Sequence, residues 1–321
     1  MIGSRRNVLL LILAIALVLL GTVWTPVTGQ GRWTDVVLTT GHGVTFALTA
    51  ALAALVVAGS EWTRRWPVWL HYGTVLSLTG LLGLGSEVLQ IWLPRDANLE
   101  DFRTDLLGAW AGLAAFAVFD SRLRTVGRIG IPLSGLIPFF VLAVPLVTCI
   151  HAYARRQAAF PVLADYRLSF DDYFLQAQGT SRAHDLMPQT WAGFAGEQAM
   201  RISFGKTAWP GLHFAEPAPD WRGYETLAID VTNPNPAALP LNIRIDDRAH
   251  NNQYSDRFNT IIDLAPRERS IVRLPISDIS RAPRNRNLDI DEVSGLILFV
   301  SGNSEPERIG EGLLVSRIWL E

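Results

Sequence analysis

The chain has one cysteine in 321 residues, Cys149. That excludes an intramolecular disulfide and any zinc site built on several thiolates. No dense run of Lys or Arg occurs, and a formal net charge of −2 gives no footprint for nucleic acid. Nucleophile-elbow, phosphate-loop and zinc-protease patterns are all missing. The second half lacks long helical periodicity. Hydrophobic residues make up 49% of the chain, but they are unevenly spread. Long apolar runs fill the first half, and short alternating runs with charged residues fill the second. The fold class expected is therefore multi-domain, an α-helical transmembrane bundle followed by an all-β sandwich.

Five spans are expected, at about 7–24, 36–59, 68–93, 105–119 and 131–153. A basic start at Arg5 and Arg6 before the first run also fits a signal peptide, with Val27 and Gly29 near a cleavage point. Arginines concentrate in alternate links: Arg5 and Arg6, then Arg64 and Arg65, then Arg122, Arg124 and Arg128. Only Arg32, Arg95 and Arg103 lie in the intervening short links. The positive-inside rule then sets the amino terminus in the cytoplasm and everything after about His151 outside. Trp24, Trp33 and Trp92 fall at the outer interface, and Trp62, Trp66 and Trp69 at the inner one. Cys149 reads as a small residue facing lipid or a helix.

Polar residues inside the apolar half are few and clustered. Glu87 and Gln90 are three apart, and Asp101 and Asp105 four apart, so each pair shares a helical face. Glu87 sits about 9 Å below the outer end of its expected helix at 1.5 Å per residue. His42 is about two turns in from the same side. A carboxylate at mid-span costs about 2.5–3.5 kcal/mol on insertion scales, so such groups turn toward protein, a partner charge or water. Gly80 and Gly83 continue the first face, and Gly108 and Gly112 the second. The two arms are expected to form a close-packed antiparallel hairpin with a polar mouth. A structural ion-pair cluster bracing that hairpin is the plain alternative to a functional site of His42, Glu87, Gln90, Arg95, Asp101 and Asp105.

The pattern Glu87-x-x-Gln90, Pro94-Arg95, Asp101 and Gly108-x-x-x-Gly112, with His42 ahead of it, resembles the VanZ-like membrane domain over about residues 8–120. Asp105 stands where that family usually has Asn, and its common Lys before the histidine is absent. The founding member is associated with resistance to teicoplanin. The resemblance implies a role in the cell envelope, in peptidoglycan or polysaccharide biology. Carboxylates beside a histidine could hold sugar hydroxyls or serve as acid and base, and arginines could hold a phosphate. A lipid-linked glycan offers both groups.

Beyond a linker to about Ala164, eight strands are expected: 199–204, 212–215, 226–232, 241–246, 258–264, 270–275, 295–300 and 313–320. Leu227, Ile229 and Val231 alternate, as do Leu241, Ile243 and Ile245, which is the pattern of an antiparallel sandwich. The segment 228–258 and the run from Arg286 to Ile290 resemble jelly-roll carbohydrate-binding modules of some polysaccharide-degrading enzymes. The expected divisions are 1–125 for a VanZ-like four-helix domain, 126–164 for a further span and linker, and 165–321 for the sandwich. Glycan-binding candidates are Asp246, Asp247, His250, Asn252, Tyr254 and Arg257, with Trp209 and Trp221 as stacking platforms. Those tryptophans could equally be core or turn residues. No cofactor is implied. A calcium ion held by loop carboxylates is compatible with the composition, although EF-hand spacing is absent.

Together these features suggest a multi-pass protein of the cytoplasmic membrane, with a periplasmic or extracellular domain that binds envelope glycan or glycolipid. Its partners would be membrane lipid and envelope or lipid-linked glycan, with no nucleic acid. The alternatives are an intramembrane enzyme acting on a lipid-linked sugar or phospholipid head group, and a structural anchor whose sandwich docks another protein.

Overall fold

The protein was analysed as a computed structural model that describes residues 31–90, 99–168, 172–301 and 312–321, with Leu9, Ile12 and Ala16. The chain forms two compact units, Met1–His151 and Ala152–Glu321.

The first unit is helical. Its elements are α1 (Arg32–Gly59), α2 (Val68–Gln90), α3 (Leu99–Phe119), α4 (Thr125–Ser134) and α5 (Leu136–Ala159), whose last residues enter the second unit. Among the described residues, four helical stretches are long and apolar enough to cross a membrane: Arg32–Gly59, Val68–Leu89, Leu99–Phe119 and Thr125–Ala159. Four is thus the count here against five expected, and the expected span at 7–24 falls outside the described residues. The third of these stretches begins earlier than expected, at Leu99, so Glu100 and Asp101 sit in its first turn. The last also starts early and is interrupted at Gly135. Pro138 explains the interruption: it has no N–H for the Ser134 carbonyl, and its ring crowds that turn.

Helix α3 is the centre of the unit. Its buried positions include Asp105, Gly108, Ala109, Gly112, Leu113 and Ala117, a stripe of mostly small side chains. A Cβ on Gly108 would lie 2.1 Å from the Gly43 carbonyl oxygen, and one on Gly112 would lie 2.0 Å from that of Ala47. The backbones of α1 and α3 therefore touch. Because 43 meets 108 and 47 meets 112, the two helices run parallel. This corrects the expected hairpin. The tight seam joins α3 to α1, while α2 meets α3 less closely: a Cβ on Gly80 would stand 3.3 Å from Leu106, and one on Gly83 3.0 Å from Asp105 Oδ2. Asp105, Gly108 and Gly112 share one helical face, and that face can pack closely on only one neighbour. On the far side of α3 the Trp110 indole donates to Ser134 Oγ at 3.0 Å. Outward positions such as Val44, Leu48, Leu81 and Phe139 are exposed, a surface compatible with insertion in a membrane.

The second unit is an antiparallel sandwich. One sheet has the order β3 (Thr180–Leu186), β4 (Gln198–Phe204), β11 (Gly312–Leu320), β6 (Thr226–Asn233), β9 (Glu268–Pro275), with β1 (Val162–Asp165) also paired to β11. The other has β2 (Leu175–Gln178), β5 (Gly211–Ala215), β10 (Val293–Phe299), β7 (Leu239–Asp247), β8 (Phe258–Leu264). All eight expected strands are present. The others, β1, β2 and β3, are short or polar; β2 and β3 are edge strands with at most one buried residue each, so neither carries an apolar alternation to read. β1 lies in the stretch expected to be a linker. Inward residues of both sheets, among them Ile202, Leu212, Ile229, Ile243, Leu298 and Ile318, build one core with Trp221 and Tyr166.

Replacing Gly112 with Leu should separate α1 from α3. The expected loss of stability is at the upper end of the roughly 1–3 kcal/mol typical of overpacking, or beyond it. Detergent-based thermal unfolding of the full chain reads this, and Gly73→Leu, at a position where a Cβ meets nothing, serves as the tolerated control.

Candidate functional site

Two clusters of polar side chains stand out, one in each unit. In the helical unit, His42 Nδ1 on α1 approaches Asp105 Oδ1 on α3 at 3.4 Å. This pair sits on the glycine seam, one turn from the Gly43–Gly108 contact. Asp105 is fully buried, and neither carboxylate oxygen has a hydrogen bond among the described residues. The 3.4 Å approach is a charge contact without hydrogen-bond geometry. Glu87 on α2 is buried too, and it and Asp101 lie within electrostatic reach of His42. Four of the six expected membrane-site residues, His42, Glu87, Asp101 and Asp105, are thus near one another. Arg95 and the side chain of Gln90 lie outside the described residues. Arg103, in the same polar stretch, pairs with Glu100 one turn earlier.

In the sandwich, the outer face of the five-stranded sheet forms an open groove of about 630 Å³. Strand alternation supplies its floor. Leu241, Ile243 and Ile245 of β7 are buried, while Asn242 and Arg244 between them line the groove. Across the ladder Asn242 faces Ile261 and Arg244 faces Asn259 of β8. From β5 and β10 come His213, Ile297 and Phe299. Trp209, 53% exposed, stands edge-on to Phe299 with ring centres 6.0 Å apart. Tyr254, 72% exposed, carries the Arg257 guanidinium 5.3 Å above its ring.

Hydrogen bonds set these side chains in place. Arg257 Nε donates to Asn259 Oδ1 at 3.0 Å, and Arg244 Nε to Asp246 Oδ2 at 2.7 Å. Gly295 lets Asp246 and His213 approach across β10, since a Cβ there would stand 2.8 Å from Asp246 Oδ1 and 3.0 Å from His213 Nε2. Burial pushes the His213 imidazole below its ordinary value, against the pull of Asp246.

The expected glycan-binding residues divide accordingly. Trp209, Tyr254 and Arg257 line the groove, and Asp246 supports it from behind. Trp221 is 0% exposed, with its indole donating to the Ala218 carbonyl, so it is core. Asp247 is also buried. It accepts two hydrogen bonds from Arg286 and, at 2.7 Å, the Asp289 N–H. His250 is half-buried beside Asp256, its Nδ1 3.0 Å from the Asp256 carbonyl. Asn252 takes a left-handed turn conformation at φ 67°. These last three shape the loop rather than the groove. Asp246, Asp247 and Asp256, the carboxylates in the stretch expected to offer calcium a place, are each held by an arginine. Among the described residues no group of three or more His, Cys, Asp or Glu is arranged for a metal. The residues missed from sequence are Gln178, His213, Asn242, Arg244, Asn259 and Phe299. Their signal was available as polar or aromatic residues at the outward positions of strands.

No family model matches the chain. No curated protein matches it either. Solved structures similar to the carboxy-terminal half include a family 11 carbohydrate-binding module from Clostridium thermocellum in complex with a β-1,3-1,4-mixed-linked tetrasaccharide, at 16% identity and a TM-score of 0.37, covering 50% of this chain and 93% of that one. An exo-β-agarase matches at 11% identity and a TM-score of 0.40, over 50% of this chain and 24% of its own. A CBM22-2 xylan-binding domain of Paenibacillus barcinonensis Xyn10C matches at 12% and 0.33, over 49% and 96%. Likeness at this level carries no weight on ligand.

The loop carboxylates predict an acid-labile sandwich. Burial would raise the Asp247 carboxyl, but Arg286 and the Asp289 N–H outweigh it and hold it low; hydrogen bonding to Arg286 brings Asp256 to about 2. Their stabilisation is complete above the ordinary carboxylate value near 3.9 and is lost as pH falls through the folded values. Calorimetry should find the sandwich melting temperature dropping between about pH 4 and 2. Arg286→Gln should flatten that drop. It should also destabilise the neutral-pH protein by up to about 3 kcal/mol, because Asp247 is left buried without its partner.

Proposed function

We propose that this is a multi-pass membrane protein of the cell envelope whose sandwich binds glycan in the groove on its five-stranded sheet. One observation carries the reading: two exposed aromatic rings, Trp209 and Tyr254, border a floor that includes Asn and Arg side chains in an open groove. Saccharides present apolar ring faces and hydroxyl edges, so a binding surface needs flat aromatics together with fixed donors and acceptors. Tyr254 and Asn259 are coupled through the Asn259 amide, which donates to the Tyr254 carbonyl at 3.2 Å. An open groove suits a polymer entering from either end better than a small closed ligand. The arginine distribution supports a cytoplasmic amino end and an outside sandwich, on the periplasmic or extracellular side. The helical unit is proposed as VanZ-like, on the motif from Glu87 to Gly112.

A second reading concerns the helical unit alone. A fully buried carboxylate without hydrogen bonds, 3.4 Å from a histidine, suits an intramembrane acid–base pair acting on a lipid-linked sugar or phospholipid head group. Such an enzyme would lose turnover of a lipid-linked sugar in Asp105→Asn while keeping its thermal stability. Equal turnover by the variant, or none by either protein, excludes this reading.

Binding of soluble polysaccharides to the full chain in nanodiscs tests the principal one. Trp209→Ala and Tyr254→Ala should each weaken binding by about tenfold or more, as for aromatic anchors of other interfaces. Retention of binding in the double variant would refute the groove. Recovery of a cross-linked protein at the sandwich, with no polysaccharide bound, would favour a structural anchor.

A further inference from the structure

Charge in the groove is one-sided. Its described lining includes Arg244 and Arg257 but no Asp or Glu. Asp246, just behind, engages Arg244 through Nε at 2.7 Å. Arg257 has no such partner. Its Nε is spent on the neutral Asn259 amide oxygen, and its guanidinium lies over the Tyr254 ring. Its two terminal nitrogens make no hydrogen bond among the described residues, and it is within electrostatic reach of Arg244 and of the Asp246 carboxylate that Arg244 already engages. Two guanidinium charges, of Arg244 and Arg257, thus face one carboxylate, Asp246, and burial disfavours charge on His213 beside them.

A groove for a neutral polymer has no use for that excess. A half-buried cation next to another cation is unfavourable until an anion arrives. The guanidinium is also pre-aimed, because its Nε bond and the ring beneath it fix its plane, leaving a two-pronged edge free. That edge matches a planar carboxylate at two points. Resting on the glycan-binding reading above, we infer that the groove selects an acidic polysaccharide, with a uronate carboxylate received by Arg257 and the adjoining sugar ring against Tyr254.

The test uses the full chain in nanodiscs of zwitterionic lipid and three polymers: polygalacturonate, the same polymer with its carboxyls reduced to alcohols, and dextran sulfate. Wild type should bind polygalacturonate, more weakly as salt rises, and bind the reduced polymer about tenfold or more less tightly. Arg257→Gln should lose that same margin on polygalacturonate and weaken the reduced polymer by a much smaller factor. Arg257→Lys should recover only part of it, since an ammonium keeps charge without the fork. An unchanged thermal transition in both variants separates this from misfolding.

Equal binding of native and reduced polymers, indifferent to Arg257→Gln but lost in Trp209→Ala, would overturn the acidic preference and leave the glycan groove standing. Dextran sulfate binding as tightly as polygalacturonate, unaffected by Arg257→Gln, would also overturn it by showing charge attraction without a carboxylate site. Failure of all three polymers to bind would overturn this inference together with the groove itself.

Discussion

Alternation along a single central strand ties the sandwich core to its candidate site. β7 turns Leu241, Ile243 and Ile245 inward to pack with Leu298 and Leu212, and by the same pleat turns Asn242 and Arg244 outward. A slip of one residue would reverse every one of these positions. β7 is paired on both sides, with β10 and β8, so the slip is blocked by two ladders as well as by burial. The groove is therefore as firmly specified as the hydrophobic core. Its polar side chains sit on a rigid sheet, and the more exposed aromatics come from loops at its margin.

The helical unit depends on a different constraint, closeness of approach. These helices are long and apolar enough to cross a membrane, an environment in which hydrophobic drive between helices is small and packing of small residues and polar contacts holds them. Gly108 and Gly112 let α3 touch the backbone of α1 at Gly43 and Ala47. The same closeness brings Asp105 against His42 and shuts solvent away from it. The glycine seam and the buried pair are one feature. Widening the seam would also release the carboxylate.

How much of this was legible in the sequence follows from the kind of signal each element gives. Period-two runs of β-branched and leucine residues located eight strands, because one-sided burial writes itself directly into the chain. Polar edge strands such as Thr180–Leu186 left no such trace. The Gly108/Gly112 spacing revealed a close helix contact but not its partner, and proximity in sequence suggested α2 where the structure has α1. Spacing states which face packs and is silent about which neighbour it meets. Among the groove residues, Trp209, Tyr254 and Arg257 stood out by residue type. His213 and Asn242 did not, since they act through the sheet that aligns them. Trp221 shows the opposite failure: its residue type fits a stacking platform, yet it is wholly enclosed in the core.

Hydroxyl-radical footprinting of the full chain, with and without a polysaccharide that it binds, tests the groove most directly. Bound polymer should protect Trp209 and Tyr254 together, and leave Trp62 and Trp69 of the helical unit as reactive as before. Protection confined to other surfaces, with Trp209 and Tyr254 unchanged, would contradict the account.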